Sequence, residues 1–431
     1  MSFFNSFEDI LNQKHPLYVL AQKINWEQFE EAFLPLYCQD NGRPAKPVRL
    51  MVGLLILKHI RNVSDEVVVE QWSENSYYQY FCGEKSFVPD VPCNATELVH
   101  FRNRIGEPGI ELILKESIRV NGKDGDDGDV NIDTTVQEKN ITFPTDAKLH
   151  KKIIHKCRQI AEEDQLAVRQ TYTRTLKKLA LDQRFRNHPR NRVKARKADR
   201  KIKTIAGRLV RELERNLPPG SVYQGSIALF KQVLSQSRGS KNKIYSLHEP
   251  EVCCISKGKE HKKYEFGNKA SFVKTDSGVL VGALGFRNQY DGHTLPAVLD
   301  QVERLTGKRP ENAKVDRGYR GKRQVGGTAI LIPSVPNKSI SYYKRKKLSR
   351  AHRKRAAIEP VIGHLKSGHR LGRNFYKGAV GDNINIMLAA AAFNFKRMMN
   401  KWKSSFLPFF QALCFSTIKL IFNQNRAKLT F

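Results

Sequence analysis

"DGDDGDVNIDTTVQE", residues 124–138, is the stretch on which the fold turns. Its first half is a Gly/Asp loop, because glycine tolerates positive φ and aspartate bonds to nearby backbone groups. Its second half becomes an alternating β-branched run and predicts a strand beginning near Asp129, with Asp133 inside it.

Downstream, residues 150 to about 216 are long, polar and basic, mostly helical, interrupted around Pro189 and closed by "PPG". Their Arg/Lys surplus, including Arg192, Lys194, Arg196 and Lys197, suits phosphates along a duplex, and it equally suits a solvated charged helical hairpin. Two strand-like runs follow, "YEFGNKASFVKT" (264–275) and "GVLVGALGFRNQ" (278–289), joined as a hairpin at Asp276 and Ser277. "TLPAVLDQVERLTG" predicts a helix capped near Thr294 and stopped at Gly307. "AKVDRGY" and "GTAILIPS" are short strands, and a helix containing Glu359 closes the series. Strand, helical insertion, strand, strand, helix, strand, strand, helix is the order of a mixed α/β sheet of the ribonuclease-H-like kind, split after its first strand.

Upstream, the first 120 residues read as an all-α domain. "VRLMVGLLILKHIRN" (48–62) is followed by Ser64 as N-cap of "DEVVVEQWSEN", then by "ATELVHFRNRIG" closing at Gly106. His100, Arg102 and Arg104 suit a helix lying against DNA, although three helices joined by short turns are also an ordinary bundle. The expected organisation is therefore a helical domain over 1–122, a catalytic core over 123–400 with its basic insertion at about 150–216, and a tail over 401–431.

Charge narrows the partner. In 431 residues, 75 Lys and Arg stand against 42 Asp and Glu, a formal net charge of +33, which favours a polyanion and above all nucleic acid. The positive residues are spread along the chain rather than gathered beside an amphipathic anchor, which argues against a membrane surface. Seven cysteines without a C-x-x-C read as reduced thiols of a cytoplasmic protein, and "HEPEVCC" fits no zinc spacing. The N-terminus lacks a signal-peptide pattern. "SFLPFFQALCFSTIKLIF" is apolar, but Pro408, Gln411 and Lys419 interrupt it, so a packed terminal helix is expected rather than a membrane span.

Three carboxylates fall where such a sheet can bring them together: Asp133 on the first strand, Asp316 after "KV", and Glu359, the only acidic residue between Asp316 and Asp382. Mg²⁺ prefers oxygen ligands and sits in phosphoryl-transfer sites with a few carboxylates, so three suit a metal centre. Without metal they repel one another and their pKa values rise. His352, Arg355, Glu359 and Lys366 share one face of an ideal helix, placing cations beside the carboxylate. Pro360 disfavours helical geometry at Glu359 and predicts a kink or restart there. Taken singly, Glu359 reads better as an i,i+4 salt-bridge partner of Arg355; combined with Asp133 and Asp316 in this element order, it reads as a metal ligand.

These residues resemble the DDE transposases of bacterial insertion sequences, in particular the IS-five family within the IS-four superfamily. That family's closing helix carries Tyr-x2-Arg-x3-Glu-x6-Lys; Arg355, Glu359 and Lys366 match, and His352 stands where tyrosine is usual. "NIDTTVQEKNITFPTDAKLHKKI" resembles the first-aspartate block and "KVDRGYRG" the second, which implicates Asp133 and Asp316. The blocks "RPAKPVRLMVGLLILKHIRNVSDEVVVEQW" and "ELVHFRNRIGEPG" resemble the family's N-terminal helical domain, and "SLHEPEV" to "YDGHTL" the middle of its core. The resemblance implies binding of terminal inverted repeats, metal-dependent cleavage and strand transfer at Asp133, Asp316 and Glu359. It also implies two Mg²⁺ ions for which Mn²⁺ can substitute, target DNA as second partner, a homodimer in the DNA complex, and a bacterial cytoplasmic, nucleoid-associated location. A DNA-binding remnant without catalysis, or another ribonuclease-H-like nuclease, would share parts of this pattern.

Overall fold

The computed structural model describes residues 6–38, 44–237, 239–256, 263–287, 289–319, 321, 323–332 and 341–427, with 347–348, 351–352 and 404–427 described by backbone alone. The chain forms two compact units, residues 1–138 with 268–431, and residues 139–267. This division differs from the one expected. The helical N-terminus and the sheet share one continuous core, running from Phe7 and Leu54 through Ile132 and Phe272 to Phe395, and the inserted unit has a core of its own.

In the first unit, strands β1 (Asp129–Lys139) and, after the insertion, β3 (Tyr264–Thr275), β4 (Leu280–Phe286), β5 (Asn312–Lys314), β6 (Gln324–Val325), β7 (Thr328–Leu331) and β8 (Arg373–Asn374) build a mixed sheet; β2 (Cys253–Ser256) belongs to the insertion. The strand order is β4-β3-β1-β5-β7-β6, with β8 beside β1. β1 pairs parallel with β5, β5 pairs parallel with β7, and β3 pairs antiparallel with β4. Three parallel strands, β1, β5 and β7, flanked by the antiparallel β3–β4 hairpin fit the ribonuclease-H-like arrangement. The hairpin turns where its sequence implies, at Asp276–Ser277, with Gly278 taking the positive φ of 99° that a side chain would resist.

The helices obey their local signals with small shifts. Val48–Arg61 ends on left-handed Asn62, and the Ser64 hydroxyl accepts from Val67 N–H at the start of Asp65–Glu74. Gly106 breaks its helix but does not close it: φ 57° there makes a kink, after which Pro108 opens a second stretch that runs to Val120. Asp291–Thr306 begins three residues before Thr294, whose hydroxyl bonds back to Asp291 C=O, and it ends on left-handed Gly307 as expected. The C-terminal helix Gly378–Ala427 continues through the supposed boundary at 401. Its buried half carries Asn394, whose amide bonds Ser117 Oγ and both backbone groups of Leu280, tying the N-terminal helices, the edge strand and the C-terminal helix together.

The inserted unit holds helices Asp146–Glu163, Thr173–Asp182, Pro189–Asn216 and Gln224–Ser235, and β2 pairs antiparallel with the opening residues of β3. It is thus larger than the expected 150–216, because the helix after "PPG" contributes Ile227, Phe230 and Val233 to the same core. The interruption expected around Pro189 is the non-helical stretch 183–188, and Pro189 itself begins the next helix, where its missing N–H costs nothing. Ala195, Ala198, Ile202, Ile205, Leu209 and Leu213 line the buried stripe of that helix and leave its cations outside. Among the described residues, no helix is long and apolar enough to cross a membrane.

Candidate active site

Asp133 projects from the middle of β1, Asp316 lies two residues past the end of β5, and the parallel pairing of the two strands fixes their spacing. Each aspartate is oriented by a local backbone bond: Asp133 Oδ1 accepts from Thr134 N–H at 2.8 Å, and Asp316 Oδ1 from Gly318 N–H at 2.8 Å. A side chain at Gly318 would meet Asp316 Oδ1 at 2.9 Å and would have to displace that carboxylate.

Glu359 reaches the site from a broken helix. Tyr342–Ala356 stops at Ala357, and Ile358–Gly368 restarts with Glu359 and Pro360 in its first turn, where proline is tolerated. The restart expected at Pro360 therefore falls two residues earlier. The break removes the single continuous face assumed for His352, Arg355, Glu359 and Lys366, since Lys366 belongs to the second helix. Arg355 and Glu359 still meet across it.

Arg355 is the hub of the arrangement. Its Nη1 donates to Glu359 Oε1 at 3.2 Å, while Nη2 lies 3.7 Å from Asp133 Oδ2 and 3.8 Å from Asp316 Oδ2. The carboxylates grade from base to rim, with side-chain exposures of 14% for Asp133, 38% for Asp316 and 59% for Glu359. Burial pushes the Asp133 carboxyl up to about 6, with Asp316 and Glu359 adding to the rise while Arg355 and the Thr134 N–H oppose it. Burial also pushes the nearby Tyr319 phenol up. Tyr319 Oη and Arg355 Nε are buried with no hydrogen-bond partner among the described residues.

Three ionised carboxylates around one guanidinium leave two uncompensated negative charges, and all the donors are hard oxygens, which suits a divalent cation of the Mg²⁺ type. The carboxylates are held apart by the guanidinium, and among the described residues no three acidic, His or Cys side chains close on a single point. Donor type and charge fit a metal; the side chains are arranged around Arg355.

The other expected site residues separate into groups. Arg102 requires correction as a DNA-facing cation: it is only 4% exposed, pairs with Asp65 at 3.3 Å and lies 3.9 Å over the Tyr376 ring. It falls on the inner face of its helix with Leu98, Phe101 and Ile105. Arg104, two residues on, is exposed and stacks on Tyr37 at 4.1 Å. Arg192, Lys194, Arg196 and Lys197 are all exposed on the inserted unit, with Lys194 3.0 Å from Asp182. The His352 side chain lies outside the described residues. Sequence reasoning missed Asp276 and the two lysines that donate to it, Lys314 and Lys354, which lie close in sequence to Asp316 and Arg355. Polar residues within the apolar strands, Asn131 and Lys314, are the one signal that could have pointed there.

Two family models match the chain: Transposase domain (DUF772) over residues 5–104, and Transposase DDE domain over residues 241–395. The second match includes Asp316 and Glu359, while Asp133 precedes it. An uncharacterised protein of Rhizobium meliloti, ORF8 in the nfe locus, is 40% identical over 193 residues, covering 44% of this chain and 93% of that protein. No solved structure matches.

Proposed function

We propose that this chain, which belongs to the transposases carrying a DDE domain, binds the terminal inverted repeats of its insertion sequence and catalyses metal-dependent strand cleavage and strand transfer at Asp133, Asp316 and Glu359. The observation that carries this reading is the sharing of one guanidinium, Arg355, by those three carboxylates from three separate elements.

Asp133, Asp316 and Glu359 are the residues that would hold Mg²⁺. When bound, the ion activates the attacking oxygen and stabilises the leaving one. The protein's part is positioning. The Thr134 and Gly318 N–H groups fix one oxygen of each aspartate and leave the other facing the site. Arg355 favours the ionised form of Asp133, which a cation requires. Its planar fork suits a phosphate as well as a carboxylate, so the scissile strand can compete for the same donors. Lys366 and His352 are assigned to phosphates of the bound strand, as is exposed Arg104. The exposed cations at 192, 194, 196 and 197 are assigned to the backbone of the bound duplex.

The test is cleavage of a labelled duplex bearing the element's own end. Nicking that exposes a 3′-hydroxyl at the element boundary, in Mg²⁺ or Mn²⁺ and not in chelator, is the expected result. Tight end binding without cleavage at any divalent ion concentration would refute the catalytic reading and leave a DNA-binding protein.

A further inference from the structure

We infer that Asp276, in the turn between β3 and β4, is a positioning residue that clamps together the three elements bearing the catalytic groups; this rests on the function proposed above.

Asp276 accepts from Asn131 Nδ2 at 2.8 Å, from Lys314 Nζ at 3.0 Å and from Lys354 Nζ at 2.9 Å. Each donor lies next to a residue of the site. Asn131 precedes Asp133 by two positions on β1, so both side chains leave the same face of the sheet. Lys314 ends β5 two residues before Asp316, and it is the register partner of Asn131. Lys354 adjoins Arg355 on the helix that leads to Glu359. One carboxylate thus bonds both strands and the helix that carry the residues gathered by Arg355.

Burial explains why the clamp is built this way. Asn131 is fully buried and Lys314 is 8% exposed, so their amide and ammonium need an acceptor inside the protein. Asp276 supplies it, and Asp129 takes a further bond from Lys314 at 2.9 Å. The turn that carries Asp276 is itself held on several sides. Ser277 N–H donates to Asp127 at 2.8 Å, Arg397 donates to Ser277 C=O at 2.5 Å, and Thr275 Oγ1 donates to Asp124 C=O at 2.9 Å. A hub on a fixed turn can hold a helix in register; a hub on a loose loop could not. Lys354 is the exposed member of the set, and its bond to Asp276 is what links the Arg355 helix to the strands through this network.

The experiment uses the full-length protein with Asp276→Asn, Lys354→Ala, the double variant, and Lys308→Ala as a control that removes an exposed ion pair with Asp126. Single-turnover nicking of an end-bearing duplex, gel-shift affinity for that duplex, and hydrogen exchange of peptides spanning 342–368 are measured well below each protein's melting temperature. Asp276→Asn is expected to slow nicking by about ten- to a hundredfold, the scale of a small misplacement of reacting groups, with end affinity nearly unchanged. Lys354→Ala should act in the same direction and add little in the double variant. Exchange over 342–368 should quicken in both single variants and not in the control. Wild-type nicking by Asp276→Asn, or unchanged exchange over 342–368, overturns the inference. Should the wild-type protein itself fail to nick, the function proposed above falls, and the exchange experiment alone decides whether Asp276 anchors the helix.

Discussion

Replacing Glu359 by glutamine separates a structural carboxylate from a catalytic one by an order of magnitude in energy. The substitution keeps the side chain's size and removes one negative charge at the rim of the site. If Glu359 served only Arg355, its partner four residues back at 3.2 Å and its 59% exposure would limit the loss to about 0.2–0.5 kcal/mol. The melting temperature would then move by no more than about 1–2 °C, and nicking would be nearly intact. If Glu359 is a metal ligand, the neutral amide lacks the charge that a hard cation requires, and a loss of about three decades in cleavage corresponds to about 4 kcal/mol of transition-state stabilisation. End binding should survive, because removing a negative charge beside phosphates lowers repulsion. The assay is a gel shift and a nicking time course on one end-bearing duplex in Mg²⁺, with circular dichroism to establish folding. Near wild-type nicking by folded Glu359→Gln protein would refute the three-carboxylate mechanism.

Neutralising Arg192, Lys194, Arg196 and Lys197 together should weaken binding to all duplexes alike and reduce the slope of log affinity against log salt by about 0.9 for each phosphate no longer neutralised; an unchanged slope would assign that face to solvent. Arg102→Ala should lower stability by about 1–3 kcal/mol in chemical denaturation, since it strips Asp65 and the Tyr376 ring of a buried partner, and should leave that salt slope unaltered. Asp276 gives a pH signature. Burial would raise its pKa, but the bonds from Lys354, Asn131 and Lys314 outweigh burial and hold it down at about 2, below the ordinary 3.8. Its contribution is therefore complete above about pH 4 and lost as pH falls toward 2. The stability gap between wild type and Asp276→Asn, about 1–2 kcal/mol after allowing for solvent at the Lys354 end, should shrink steadily as pH falls from about 4 through 2 in urea titrations; a gap undiminished at pH 2 would contradict the assigned bonds.

Local order and chemical type were legible along the chain alone. Strand periodicity placed β1 at Asp129, the Asp276–Ser277 turn joined β3 to β4, and Gly307 stopped its helix, because dihedral preference and side-chain period act over a few residues. The identity and sequence order of Asp133, Asp316 and Glu359 were equally visible, as was the excess of positive charge. Long-range pairing decided the rest. Whether an arginine faces solvent or Asp65 depends on which side of its helix the core covers, and so Arg102 and Arg104, two residues apart, part company. The limits of the insertion followed from apolar residues after "PPG" joining a core begun some seventy residues earlier, at Leu149 and Ile153. The roles of Arg355 and Asp276 came last. Each binds residues brought near only when β1, β5 and the Tyr342–Ala356 helix have taken their places, and no period or spacing along the chain encodes a guanidinium shared by three carboxylates or a carboxylate shared by three donors.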